Sequence, residues 1–208
     1  MFSLNKKELK VLKKLNTPSK IQDFLNKMKI NFEENGDTCL SPRMVLKKNM
    51  CHCSEGAILA ALALRVNGFP PLLVDLTAVK DDFDHVIAVF KKNKKWGAIS
   101  KTNHAVLRYR EPVYNLIREL VMSYFHEYFN DSGRKTLRSF SLPVNLSRFD
   151  KLGWMNSEED LDYILDYLDK VKHYSILNKK QIHSLRKADE IEIKGGKLVE
   201  WEKTRKNL

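Results

Sequence analysis

No apolar run in this chain is long enough to cross a bilayer. The longest, around Ala57 to Leu64, ends at Arg65, far short of the about 20 residues a spanning helix needs. The opening Met1-Phe2-Ser3-Leu4-Asn5-Lys6-Lys7 is charged within its first turn and has no apolar signal core. Cysteine is scarce: there are three, an odd number, and Cys51 and Cys53 are separated by one residue. That pattern argues against a disulfide framework. Basic residues never form a run of five, and RNP, KH and zinc-finger patterns are absent, as are internal repeats and low-complexity tracts. These absences lead us to expect a soluble cytoplasmic protein with reduced thiols and no membrane partner.

What is present argues for a folded chain with one well-filled core, or a core domain with an appendage. The 208 residues are 43% apolar and include ten Phe, seven Tyr and three Trp, which argues against disorder and allows one filled core with an appendage. The net charge of +11 raises the possibility of a nucleic-acid partner. Its lysines are scattered in pairs such as Lys13-Lys14, Lys91-Lys92 and Lys179-Lys180, as expected of solvated faces. Nucleic-acid binding is therefore the lower-ranked reading, and it predicts affinity that falls steeply with salt.

Periodicity divides the chain into three segments. Residues 1–30 read as two short helices, the second opened by Thr17-Pro18 with Ile21, Phe24, Leu25 and Met28 as its apolar stripe. Asn35-Gly36-Asp37 is a turn signal, and Ser41-Pro42 opens a short helix leading to Cys51. Residues 31–148 form the expected core. A helix from about Ser54 to Val66, apolar nearly all round, should be buried on most sides, with Asn67-Gly68 as its end. Strands are expected at Pro71 to Leu76, at His85 to Phe90 and Lys95 to Ser100 as a hairpin, and at Thr136 to Ser141. Glu111-Pro112 should open a long helix to about Phe129. Residues 149–208 predict an accessory helix from Ser157-Glu158-Glu159-Asp160 to about His173, then a hairpin through Gly195-Gly196, all forming one compact unit with the core.

The chemistry concentrates at Cys51-His52-Cys53-Ser54-Glu55-Gly56-Ala57. A thiol at a helix start feels free backbone N–H groups and the positive end of the helix dipole, both of which favour the thiolate. Cys53 is the better-placed nucleophile, because Cys51 lies outside the helix. Cys51-X-Cys53 is too short a spacing for a zinc knuckle and has no second half, so neither metal nor cofactor is expected. His85 opens a strand about thirty residues later and can hold or accept the thiol proton. A hairpin closed by Lys92-Asn93 would set His85 directly opposite Ser100, whose hydroxyl could orient the imidazole. Asn103, just beyond the strand, is the alternative orienting group. The Cys53 backbone N–H is the candidate oxyanion donor. Glu55, in the first helical turn, either caps the helix or holds a neighbouring cation, or His52, at the rim of the site. Capping alone predicts that Glu55→Gln costs about 0.3–1 kcal/mol.

From Val45-Leu46 through Cys51 to Ala57, Asn67-Gly68-Phe69-Pro70 and Asp84-His85-Val86-Ile87-Ala88-Val89, the chain resembles the transglutaminase-like superfamily. The resemblance covers about Ser41 to Asn103, and the Cys-X-Glu-X-Ala form is also similar to peptide N-glycanases. It implies an α+β fold with a papain-like core, a central apolar helix packed on a small antiparallel sheet with flanking helices. It further implies Cys53 as nucleophile, His85 as the second-strand histidine and Trp96 as the aromatic before the third catalytic group. Ser100 stands where the family usually has aspartate, and a hydroxyl cannot neutralise imidazolium. The expected activity is thiol-dependent acyl transfer or amide hydrolysis on a peptide or protein amide. The alternative is a catalytically inactive scaffold on the same fold.

Overall fold

The computed structural model describes residues 4–34 and 36–202. Met1 to Ser3 of the opening segment and Asn35 of the expected turn lie outside the described residues, as do residues 203–208. The N-terminal helices are built by their caps. Asn5 Oδ1 accepts from Lys7 N and Glu8 N, both at 2.9 Å, and starts α1 (Lys6–Lys14). Thr17 Oγ1 accepts from Lys20 N at 3.2 Å and, with Pro18 preset for the first turn, starts α2 (Pro18–Asn26). Ser41 does the same for α3 (Pro42–Lys48), which Asn49 ends in a left-handed conformation. The chain then enters α4 (Cys53–Val66), buried continuously from Ser54 to Leu64.

Among the described residues, seven strands form one antiparallel sheet: β1 (Leu72–Thr77), β2 (His85–Lys92), β3 (Lys95–Ile99), β4 (Arg110–Tyr114), β5 (Ser139–Ser141), β6 (Val144–Asn145) and β7 (His173–Ser175). Their order is β4-β3-β2-β1-β5-β7, with β6 also paired to β1. The fold is therefore α+β. The sheet is covered on both faces. Val86, Ala88 and Phe90 of β2 pack with α4, whereas Ile87 and Val89 pack with α5 (Ile117–Phe125). Double burial explains why β2 reads as a continuous apolar run rather than an alternation. The α4 core also takes Leu12 and Leu25 from the N-terminal helices and Trp154 and Ile164 from the C-terminal segment. Among the described residues no helix is long and apolar enough to cross a membrane.

Four expectations about elements are corrected. The β2–β3 hairpin turns at Asn93-Lys94, one residue later than read, with both residues left-handed at φ 51° and 63°. That is the geometry a two-residue hairpin needs to match strand twist. The long helix from Glu111 is instead edge strand β4 followed by the short α5, since Pro112 is tolerated on an edge. Gly97 makes this pairing possible: a Cβ there would lie 2.8 Å from Arg110 O and 3.0 Å from Pro112 N. The accessory helix is the shorter α6 (Asp162–Lys170), and His173 belongs to β7. Helix α7 (Lys179–His183) follows, and the C-terminal hairpin is instead helix α8 (Glu190–Gly196), where Glu192 Oε2 accepts from Asp189 N at 2.6 Å to complete a capping box.

Candidate active site

Cys53 is the first residue of α4, so its N–H has no acceptor within the helix. Its half-buried thiol lines a cleft of about 390 Å³ together with His52, His85, Leu107 and Tyr128. Burial opposes thiolate formation. Side-chain interactions with His52 and then His85, reinforced by the charge of both imidazoles, outweigh it and hold the Cys53 thiol well below the ordinary thiol range.

His85 is the first residue of β2 and is 6% exposed. Its Nε2 lies 2.7 Å from Ser100 Oγ, while Ser100 Oγ donates to Leu107 O at 2.5 Å. A carbonyl cannot donate, so the hydroxyl gives its only proton to Leu107 and accepts from His85 Nε2–H. Nδ1 is thereby left for the sulfur. The route to this contact differs from the expected direct pairing. Ala88 pairs with Ile99, so continuing the register sets Ser100 against Ile87, two residues from His85. A slip of two preserves side-chain parity, and Ser100 reaches His85 diagonally.

The backbone of Ser100 is itself clamped. Gln22 Oε1 accepts from Ser100 N at 2.9 Å and Gln22 Nε2 donates to Ser100 O at 2.8 Å. Asn103 lines the same cleft, but its side chain is tied to the C-terminal segment: Nδ2 donates to Trp201 O and Oδ1 accepts from Trp201 N, both at 2.9 Å. The structure thus brings Cys53, His85 and Ser100 together and gives Asn103 a wall-building contact, with Gly196 and Lys197 lining the cleft nearby.

Glu55 satisfies both readings left open for it. Fully buried, it caps α4 by accepting from His52 N at 2.9 Å, and it also accepts from Leu40 N at 3.0 Å and Thr38 Oγ1 at 2.9 Å. Its Oε1 lies 3.3 Å from His52 Nε2. Burial raises the carboxyl, but the His52 interactions and the backbone donors prevail and keep it below its ordinary range. His52 Nε2 also donates to Thr38 O at 2.9 Å. Burial disfavours the imidazolium, yet Cys53 and Glu55 together push its pKa up to about 11.

Gln22 is a site residue that sequence reasoning did not assign, and His52 entered it only as a partner of Glu55 at the rim. A His-X-X-Glu spacing at a helix start was the available signal for His52; Gln22 carried none. Cys39 and Cys51 are fully buried thiols, both raised chiefly by burial. Among the described residues no group of three or more His, Cys, Asp or Glu is placed to hold a metal ion. No family model matches the chain, and comparison with curated proteins gives no match.

Proposed function

We propose that the protein is a thiol-dependent acyl transferase or amide hydrolase of transglutaminase-like type, its α4 and sheet forming a papain-like core. The observation that carries this reading is the ordered contact from Leu107 O through Ser100 to His85, which lines one cleft with the helix-start thiol of Cys53. The Cys53 thiolate attacks the amide carbonyl carbon, forming an S–C bond. The developing oxyanion is received by the Cys53 N–H at the positive end of α4. His85 Nδ1 delivers its proton to the leaving nitrogen as the C–N bond breaks, leaving a thioester. Water or an amine then attacks the thioester, His85 takes the incoming proton as the S–C bond breaks, and the thiolate–imidazolium pair is regenerated.

The proposed substrate is a peptide or protein amide. The test is labelling of Cys53 by acyl electrophiles, combined with amide turnover in the presence and absence of a primary amine. Cys53→Ala should abolish both, and His85→Ala should reduce turnover by about 100- to 10,000-fold. A Cys53 that titrates near the free-thiol value of about 8.5 and releases no amine would overturn the proposal.

A further inference from the structure

Two imidazoles act on the Cys53 sulfur, and they differ in their own partners. Ser100 contributes a hydroxyl to His85, whereas the fully buried Glu55 contributes a carboxylate to His52. We infer that His52 is a second electrostatic partner of the Cys53 sulfur, a standing imidazolium locked by Glu55 and Thr38 that sustains the thiolate while His85 carries the mobile proton. This rests on the reading of Cys53 as the nucleophile.

The geometry fixes the ring. Its Nε2–H is bound to Thr38 O at 2.9 Å, with Glu55 Oε1 at 3.3 Å and Glu33 Oε1 at 3.6 Å on the same side. Nδ1 is therefore the nitrogen on the side of α4's first turn, 3.5 Å from Ser54 Oγ. Two carboxylates around one ring favour its charged form. The need for a second cation is visible in the surroundings. The groups around the thiol and His52 include Glu55 from α4, Glu33 from the loop before α3, Asp84 and His85 at the start of β2, Cys51, Tyr128 after α5, and Lys101, whose Nζ is tied to Leu25 O and Met28 O. Asp84, held by Ala78 N at 2.7 Å, and the two glutamates all oppose a neighbouring thiolate. His85 alone would face three carboxylates and the sulfur; a second imidazolium at His52 reduces that excess of negative charge. Because His52 and Glu55 are together neutral, their pairing persists when the sulfur loses its charge in the thioester. His52 is spared proton transfer.

The experiment is the pH profile of iodoacetamide alkylation at Cys53, read by mass spectrometry for the full-length wild-type protein, His52→Gln, His52→Lys and His85→Ala. We expect the alkylation profile of His52→Gln to move to higher pH by about one unit or more, a loss of rate of about tenfold or greater below its midpoint. His52→Lys, which keeps the charge, should stay close to wild type, and His85→Ala should retain substantial alkylation below pH 8. A His52→Gln profile superimposable on wild type overturns the inference. Should His52→Gln fail to fold, nitrogen chemical shifts of His52 in the wild-type protein decide instead. An imidazolium at pH 8 supports the inference, and a neutral ring overturns it. Neither readout needs turnover, so absent amide hydrolysis with a His52-dependent thiolate would remove the acyl-transfer proposal and leave this one standing.

Discussion

Ser100 Oγ accepts the Nε2 proton of His85 at 2.7 Å and gives its own to Leu107 O at 2.5 Å. The hydroxyl is 1% exposed at the residue level and has no freedom to reverse its donor direction, so it selects one imidazole tautomer. Orientation is what it supplies; charge compensation must come from elsewhere in the site.

Ser100→Ala should therefore slow acyl-probe labelling by about 10- to 100-fold, the scale expected when a reacting group is misplaced by about 1 Å. It should also cost about 1–3 kcal/mol, because Leu107 O and His85 Nε2 lose their buried partner. Labelling kinetics alongside thermal unfolding separate the two effects. An unchanged labelling rate would show that Ser100 does not orient His85.

Gln22 acts on the same residue from the N-terminal helices. Both of its bonds to the Ser100 backbone are buried. Gln22→Ala should destabilise by about 1–3 kcal/mol and slow Cys53 labelling, although Gln22 does not line the cleft. Gln22→Glu keeps the acceptor for Ser100 N but loses the donor to Ser100 O, so its labelling rate should fall between those of wild type and Gln22→Ala.

Glu55 is more costly to remove than a surface cap. With His52 beside it and backbone donors around it, Glu55→Ala should cost about 3–5 kcal/mol, as breaking a buried ion pair does. The pH dependence has a definite sign. The lowered Glu55 carboxyl adds stability above its ordinary value of 4.5, lost as pH falls below it. The raised His52 imidazole adds stability that is complete below 6.5 and lost as pH rises toward about 11. The pair should thus stabilise most between about pH 4.5 and 6.5, with unfolding temperature declining on the alkaline side. His52→Gln should flatten that decline; an equally steep one would assign it to other groups.

At Gly56, α4 lies close against its neighbours. A Cβ there would lie 2.6 Å from Lys101 Cβ and 3.4 Å from Cys51 Sγ. Lys101 cannot easily yield, since its buried Nζ donates to Leu25 O at 2.9 Å and Met28 O at 2.6 Å. Gly56→Ala should cost about 1–3 kcal/mol through overpacking, despite alanine's better helix propensity. A denaturation midpoint equal to or above wild type would show that the contact relaxes freely.

The amino-acid sequence by itself determined the features governed by interactions within one or two turns. Thr17-Pro18 and Ser41-Pro42 start helices, Cys53 opens α4, and the apolar residues from Ala57 to Leu64 require burial. Each rests on a cap, a fixed φ or a periodicity readable over a few neighbouring residues. Misreadings arose where local signals were equivocal. Glu190-Ile191-Glu192-Ile193 alternates like a strand, yet Ile191 is 75% exposed and the Asp189–Glu192 box makes it helical. Glu111-Pro112 suits a helix start until Gly97 admits the chain as an edge strand. Tertiary structure alone decided the sheet register, the diagonal Ser100–His85 contact, the Gln22 clamp and the burial of Glu55 against His52. These join residues up to 78 positions apart, and which donors meet which acceptors is fixed by how the core packs, a property no local pattern encodes.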